Sequence, residues 1–191
     1  MIKTASALCL ALVTTTLFAA PAVYTIDSTH TYPSFEADHA GGMSVWRGKF
    51  NSTKGTITFD RAAHSGEVDI TVDAASINFG NDRLNEHAKG ADLFDVTKFP
   101  TATYTGKISK FNGDVPTEVQ GELTLHGVTK PVTLTINSFL CRVNPMSKKE
   151  VCGADASTTF NRYDFGVSFG QTMGFKGEVK LAIEVEAIKT E

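Results

Sequence analysis

Few residues of this chain are spaced for chemistry. Asp27 and His30 stand three positions apart, but no nucleophile motif or paired-carboxylate signature accompanies them, so they read as hydrogen-bonded structural residues. The five histidines, His30, His39, His64, His87 and His126, lack the short spacings of metal ligands, and neither a metal nor a cofactor is expected. Arg162 and Asp164, two apart on one strand face, read as a structural ion pair. Arg83, His87 and Lys89 lie beside Leu84, Leu93 and Phe94. Cations so placed suit a diphosphate or a quinone oxygen, although each alone reads first as a solvated loop charge. Catalytic residues are not expected.

What is abundant is aromatic carbon. The chain has thirteen Phe, four Tyr and one Trp, with Phe35, Phe50, Phe59, Phe94, Phe99, Phe165 and Phe169 spread along it. Aromatic walls suit a flexible hydrocarbon, because they offer area with no polar atoms to satisfy. Composition alone leaves a filled core and a cavity equally open.

The first residues read as an export signal: Lys3, an apolar run broken at Thr14 to Thr16, then small residues at Ala20 and Ala22. Cleavage is expected after Ala22, with Ala19 as second choice, leaving 169 of the 191 residues. A membrane anchor needs about 20 unbroken apolar residues, and this run is shorter. Cys9 follows Leu8 and comes too early for lipidation. Two cysteines then remain, Cys141 and Cys152, with one pairing open to them; an oxidising compartment lets it form. Closing so short a loop stabilises by somewhat under about 3 kcal/mol. The formal charge of −3 and the lack of a Lys/Arg cluster argue against nucleic acid and anionic membranes as partners.

The elements that must position these side chains are strands. From Thr31 onward, segments alternate apolar and polar with period two, most clearly in 67–73 and 178–186. Residues 119–125 and 132–136 form a hairpin around a turn at 126–131. Further strands are expected at 31–39, 44–50, 55–60, 102–108, 153–159 and 164–169, eight or nine in all. Only 81–90 reads as helix, capped by Asn81 or Asp82 and ended by Gly90. Antiparallel strands with one charged and one apolar face must pack as a sandwich or close as a barrel, which at eight strands holds side chains or one small ligand.

Several segments then fit together: Tyr24 to His30, His39, Arg47 to Phe50, Leu84 to Lys89 leading into Asp92 to Asp95, Phe99 to Tyr104, Arg162 to Gly166, and Glu178 to Glu184. Across essentially the whole mature chain they resemble the YceI family of periplasmic, lipocalin-like proteins. Leu93 stands where the family often has Phe, and Gly90 where it often has Ser. The resemblance implies one domain over 23–191, an all-β fold, and a lipocalin-like extended eight-stranded antiparallel barrel with a short helical insert. It tips the choice from core to cavity, with Phe35, His39, Trp46, Phe50, Phe59, Leu84, His87, Leu93, Phe94, Phe99, Tyr104, Phe165 and Phe169 as lining, and Arg83 and Lys89 as head-group candidates.

The expected function is that of a periplasmic carrier of an isoprenoid quinone, prenyl phosphate or fatty amphiphile, and not an enzyme. Partners are a small lipid-like ligand and, since several members are dimers, a second copy; stable membrane insertion is not expected. Burying about 15 methylenes at about 0.8 kcal/mol each yields roughly 12 kcal/mol before ordering costs. Three alternatives remain: an enzyme acting on the ligand, a filled structural or stress-related barrel, and an outer-membrane barrel. The last lacks aromatic girdles and a terminal aromatic in Ile188 to Glu191.

Overall fold

Period-two alternation sets the wall. In the computed structural model, which describes residues 20–190, Val179, Leu181, Ile183, Val185 and Ala187 of the last strand turn inward, and Glu178, Lys180, Glu184 and Glu186 turn to water. The strands are β1 (Ala22–Ile26), β2 (Tyr32–His39), β3 (Ser44–Phe50), β4 (Thr53–Asp60), β5 (Ser65–Asp73), β6 (Ile77–Asn78), β7 (Thr101–Asn112), β8 (Val115–Leu125), β9 (Val128–Val143), β10 (Glu150–Asn161) and β11 (Glu178–Lys189), with one helix, α1 (Asp82–Lys89), among the described residues. The expected export signal lies, except for Ala20 to Ala22, outside the described residues.

Eleven strands occupy eight places in a closed ring. The far half of β11 pairs with β1 and its near half with β2, so those two strands share one place, broken at 27–31. β3 pairs with β2 and β4 with β1, making the second place. β5 pairs with β4 and β6 with β3, making the third. β7 to β11 follow as an antiparallel meander, and β1 on β11 closes the barrel. Closure leaves the apolar faces only the interior. That is the inverse of an outer-membrane barrel, whose apolar band faces lipid.

Three expectations are corrected. The β8–β9 turn is only two residues, His126 (φ 52°) and Gly127 (φ 75°), a left-handed pair that matches the twist of the strands, and 128–131 are already strand. Residues 164–169 are not a strand. Asn161 caps a 3-10 turn, Arg162–Phe165, by accepting from Tyr163 N, and Gly166 ends it in the left-handed region; the alternation of Phe165, Val167 and Phe169 mimics a strand. Arg162 does not pair with Asp164: its guanidinium turns inward onto backbone carbonyls.

The helix stands where the sequence places it. Asn81 accepts from Leu84 N at 3.0 Å, and Gly90 follows the last turn. Its buried residue, Ala88, has its carbonyl bonded to Phe94 N, which folds residues 90–99 back over the barrel end.

Candidate functional site

The barrel is hollow. A proximal chamber of about 500 Å³ opens at the end carrying α1, and a distal chamber of about 190 Å³ continues toward the other end. Pro33, Val72, Leu123 and Leu181 line both, so the two meet at a waist. The linings are almost wholly apolar.

A collar of rings surrounds the proximal chamber. Phe79 packs edge-on to Trp46, Trp46 stacks on His39 at 4.0 Å, His39 meets Phe175, Phe175 meets Phe169, and Phe169 meets His87 of α1 at 5.0 Å. The helix closes the circuit, because Asn85 Oδ1 accepts from Phe79 N at 2.7 Å. Edge-to-face contacts of this kind hold rings in place while leaving apolar faces bare.

Arg162 organises the loop side of the collar. It donates to Val167 O at 2.7 Å and Phe169 O at 2.8 Å, and burial holds its pKa below the usual guanidinium range. Tyr163 donates to Phe175 O. These bonds fix 166–175, so that Phe169, Met173 and Phe175 face the chamber. Asp38, the carboxylate in the lining, accepts from Gly41 N and Lys176 N at 3.0 and 2.9 Å. Arg162 and Asp38 are thus engaged in structure.

In the distal chamber Tyr104 donates to Val132 O at 2.9 Å, and burial pushes its hydroxyl up to about 12. Gly121 lies under this ring; a Cβ there would meet Tyr104 Cζ at 2.7 Å. The floor is Tyr24, Phe59, Phe111, Phe139 and Cys152. Tyr24 donates to Glu150, which Arg61 approaches at 3.6 Å. Burial, then the Glu150 bond, raises Tyr24 to about 12, with Arg61 opposing. Cys152 faces Cys141 directly across β9 and β10, and the two form a disulfide with Cα atoms 4.0 Å apart.

Of the expected lining, Phe35, His39, Trp46, Phe50, Leu84, His87, Leu93, Phe94 and Phe169 face the proximal chamber, and Phe59 and Tyr104 the distal one. Phe99 and Phe165 line neither. Phe99 packs on His126 and Gly127, and Phe165, 2% exposed, is buried edge-on to Phe160. Arg83 and Lys89 line neither chamber, and Lys89 pairs with Glu86 at 2.8 Å. Phe79, Phe160, Leu123, Leu181, Met173 and Phe175 were not anticipated. Leu123, Leu181 and Phe160 follow from strand parity, whereas Phe79, Met173 and Phe175 sit in irregular backbone with no periodicity to read. Asp27 and His30 are hydrogen-bonded at 2.9 Å, outside the chambers in the β1–β2 break. Among the described residues no group of three His, Cys, Asp or Glu is arranged for a metal.

The model of the YceI-like domain matches residues 24–187. The chain belongs to the YceI-like family. A UPF0312 protein of Vibrio cholerae is 33% identical over 99% of this YceI-like chain and 100% of its own length. Among solved structures, the Campylobacter jejuni YCEI protein is 27% identical, with a TM-score of 0.64 over 78% of this chain and 88% of that one. A polyisoprenoid binding domain from Saccharophagus degradans shares the fold, with a TM-score of 0.63 at 16% identity over 87% of this chain and 98% of that one. The YceI-like barrel of this chain thus combines the fold of these proteins with two adjoining apolar chambers.

Proposed function

We propose that this protein is a periplasmic carrier that holds one long apolar amphiphile, an isoprenoid or fatty chain, threaded from the collar through the waist, and that it is not an enzyme. The single observation that carries the proposal is the pair of connected chambers with apolar linings. A long chain bound there exchanges water for aromatic and aliphatic carbon along its length, at about 25 cal/mol per Å² of apolar surface. Polyisoprenoid binding by the Saccharophagus degradans neighbour supports the ligand class, and the signal-like first residues support export. No helix among the described residues is long and apolar enough to cross a membrane.

The test is to export the protein in a bacterial host, purify it without detergent, and identify bound lipid by denaturing extraction and mass spectrometry. One near-stoichiometric prenyl or acyl species is expected, recovered unchanged after incubation. A converted species would favour an enzyme. A clean protein that also binds no added prenyl or acyl chain would leave a filled structural barrel as the better account.

The proposal extends to a homodimer. β8 covers β9 only as far as Thr135, and β9 continues to Val143 with Leu140 and Val143 exposed, an uncovered edge of the kind that pairs with another chain. Sedimentation at micromolar concentration tests this: a monomer throughout would remove it.

A further inference from the structure

The two ends of the cavity differ in kind. The charged and imidazole side chains of the two linings, Asp38, His39, His87 and Arg162, all stand in the proximal chamber. The distal chamber presents only carbon to its interior. Its hydroxyls are turned into the wall: Thr31 donates to Glu186 O and accepts from Glu186 N, Tyr104 donates to Val132 O, Tyr24 donates to Glu150, and the Thr53 oxygen is buried. A polar head carried there would lose its hydration with nothing to replace it, whereas a hydrocarbon end would lose nothing.

The room in the distal chamber comes from small residues of β10, and its limit from large ones of β9. Ala154 stands opposite Phe139 and Ala156 opposite Ile136, and all four face the chamber. Strict alternation cannot put residues 136 and 139 on one face. Ile136 pairs with Ala156 and Ser138 with Asp155, so Asn137 is the extra residue of a β-bulge. The bulge re-aims the strand beyond it: Phe139 turns inward, and Leu140 is left 66% exposed.

Phe139 is also backed. It meets Phe59 edge-on at 5.6 Å, Phe59 lies parallel to Phe111 at 6.3 Å, and Phe111 stacks on His64 at 5.2 Å. His64 Nε2 is 3.0 Å from Asp114 Oδ1, which ties the β4–β5 turn to the β7–β8 turn. The floor is therefore a packed layer rather than one side chain.

From these observations we infer that the ligand enters tail first, and that Phe139, set by the bulge at Asn137 and backed by Phe59, is the stop that fixes the longest tail the barrel houses. The last isoprene unit of the tail fills the distal chamber while the polar head remains at the collar. The distal volume, about 190 Å³, suits about one such unit, since cavities near 150 Å³ accept a benzene. This rests on the carrier function proposed above and adds the direction of insertion and the residue that selects chain length.

Prenyl alcohols lengthened one isoprene unit at a time test it, with binding read from the fluorescence of Trp46, the single tryptophan, which lies in the collar. In the wild type, affinity should rise about tenfold or more per unit, each buried methylene being worth about fourfold before ordering costs, and level off once the distal chamber is full. Phe139→Ala should let the rise continue for about one more unit, and Ala156→Leu, which fills the chamber from the opposite strand, should end it about one unit sooner. Chains that end in the proximal chamber should bind all three proteins alike, which a general loosening of the barrel would not allow. If Phe139→Ala does not fold, Ala156→Leu decides alone.

Direction is read from a dansyl group, which on the hydroxyl end should weaken binding less than about threefold and on the tail end more than about tenfold. A plateau at the same length in every protein, a rise that never levels, losses equal at all lengths, or tolerance of the dansyl group on the tail end would each overturn the inference. If no prenyl alcohol binds the wild type, it is the carrier function that fails.

Discussion

The ring of Phe35 rests on the backbone of Gly48, its direct partner across β2 and β3, so closely that a Cβ on Gly48 would meet Phe35 Cζ at 2.6 Å. The same Cβ would lie 3.1 Å from Phe79 Cδ1 and 3.2 Å from Asn78 O. Gly48 is thus the recess that lets Phe35 and Phe79 pack edge to face at 5.3 Å and flank the proximal chamber. Gly48→Ala is expected to push Phe35 inward. Overpacking of this size costs about 1 to 3 kcal/mol, and the displaced ring would narrow the chamber. Urea unfolding with parallel titration of a prenyl chain should show both a lower midpoint and weaker binding. Unchanged binding would mean that Phe35 yields outward instead.

Arg162 carries the loop side of the collar through two carbonyls rather than through a carboxylate. Removing it strands the oxygens of Val167 and Phe169 in a buried setting, and bonds to a charged donor are worth about 1.5 to 3 kcal/mol each. Arg162→Met should therefore destabilise the protein by several kcal/mol and free Phe169, Met173 and Phe175. Arg162→Lys, which reaches only one point at a time, should fall between the two. Differential scanning calorimetry ranks the three proteins. Equal melting temperatures would show that the loop is held by its own turns.

Much of this architecture was legible because a closed barrel repeats one rule. Val179, Leu181, Ile183, Val185 and Ala187 announce their face by parity alone, and Asn81 and Gly90 bracket the helix by capping chemistry. The segment 164–169 misled because a 3-10 turn carrying Phe165, Val167 and Phe169 has the same alternation as a strand; Asn161 and Gly166 were the local signals against it. The cavity could not be read from composition, since inward residues such as Phe50 and Leu123 serve a filled core and a hollow one alike. It was the family resemblance that separated the two.

The disulfide is a stability device at the far end of the barrel. Cys141 and Cys152 are 11 positions apart and close the β9–β10 hairpin, while Cys152 itself is buried in the floor beside Tyr24 and Phe59. A loop of this length contributes about 2 to 3 kcal/mol in the chain-entropy description. Reduction, or the double change Cys141→Ser with Cys152→Ser, should lower the unfolding free energy by that amount and leave the collar untouched, so affinity for a short prenyl chain should hold. An equal loss of affinity would tie the floor to the mouth.

Asp27 contributes to the acid side of stability. Hydrogen bonds from Thr29, then His30, hold its carboxyl at about 2, below the usual 3.8. A lowered folded-state pKa means that the unfolded chain binds more protons between these values, so stability falls as pH drops from about 4 to about 2. In Asp27→Asn this acid-dependent loss should shrink, and the break between β1 and β2 should be less stable at neutral pH. Acid titration followed by circular dichroism checks both. Superimposable curves for variant and wild type would place acid sensitivity elsewhere.

Tyr24 and Tyr104 contribute on the alkaline side, and here the sign reverses. Both hydroxyls are pushed up to about 12 from 10.0, Tyr104 by burial and Tyr24 by burial reinforced by Glu150. A raised folded-state pKa means that the native protein keeps protons the unfolded chain has released. The stabilisation is therefore complete below pH 10 and drains away as pH climbs toward 12. Absorbance at the phenolate band should show two of the four tyrosines ionising only as the barrel opens, in step with loss of the strand signal in circular dichroism. Replacing both by Phe should abolish that late, cooperative phase. The single changes separate their contributions: Tyr24→Phe releases Glu150 from its phenol, whereas Tyr104→Phe leaves the carbonyl of Val132 without its donor. Ionisation of these two residues well before unfolding would mean that water reaches the distal chamber in the native state, and would count directly against a dry lining there.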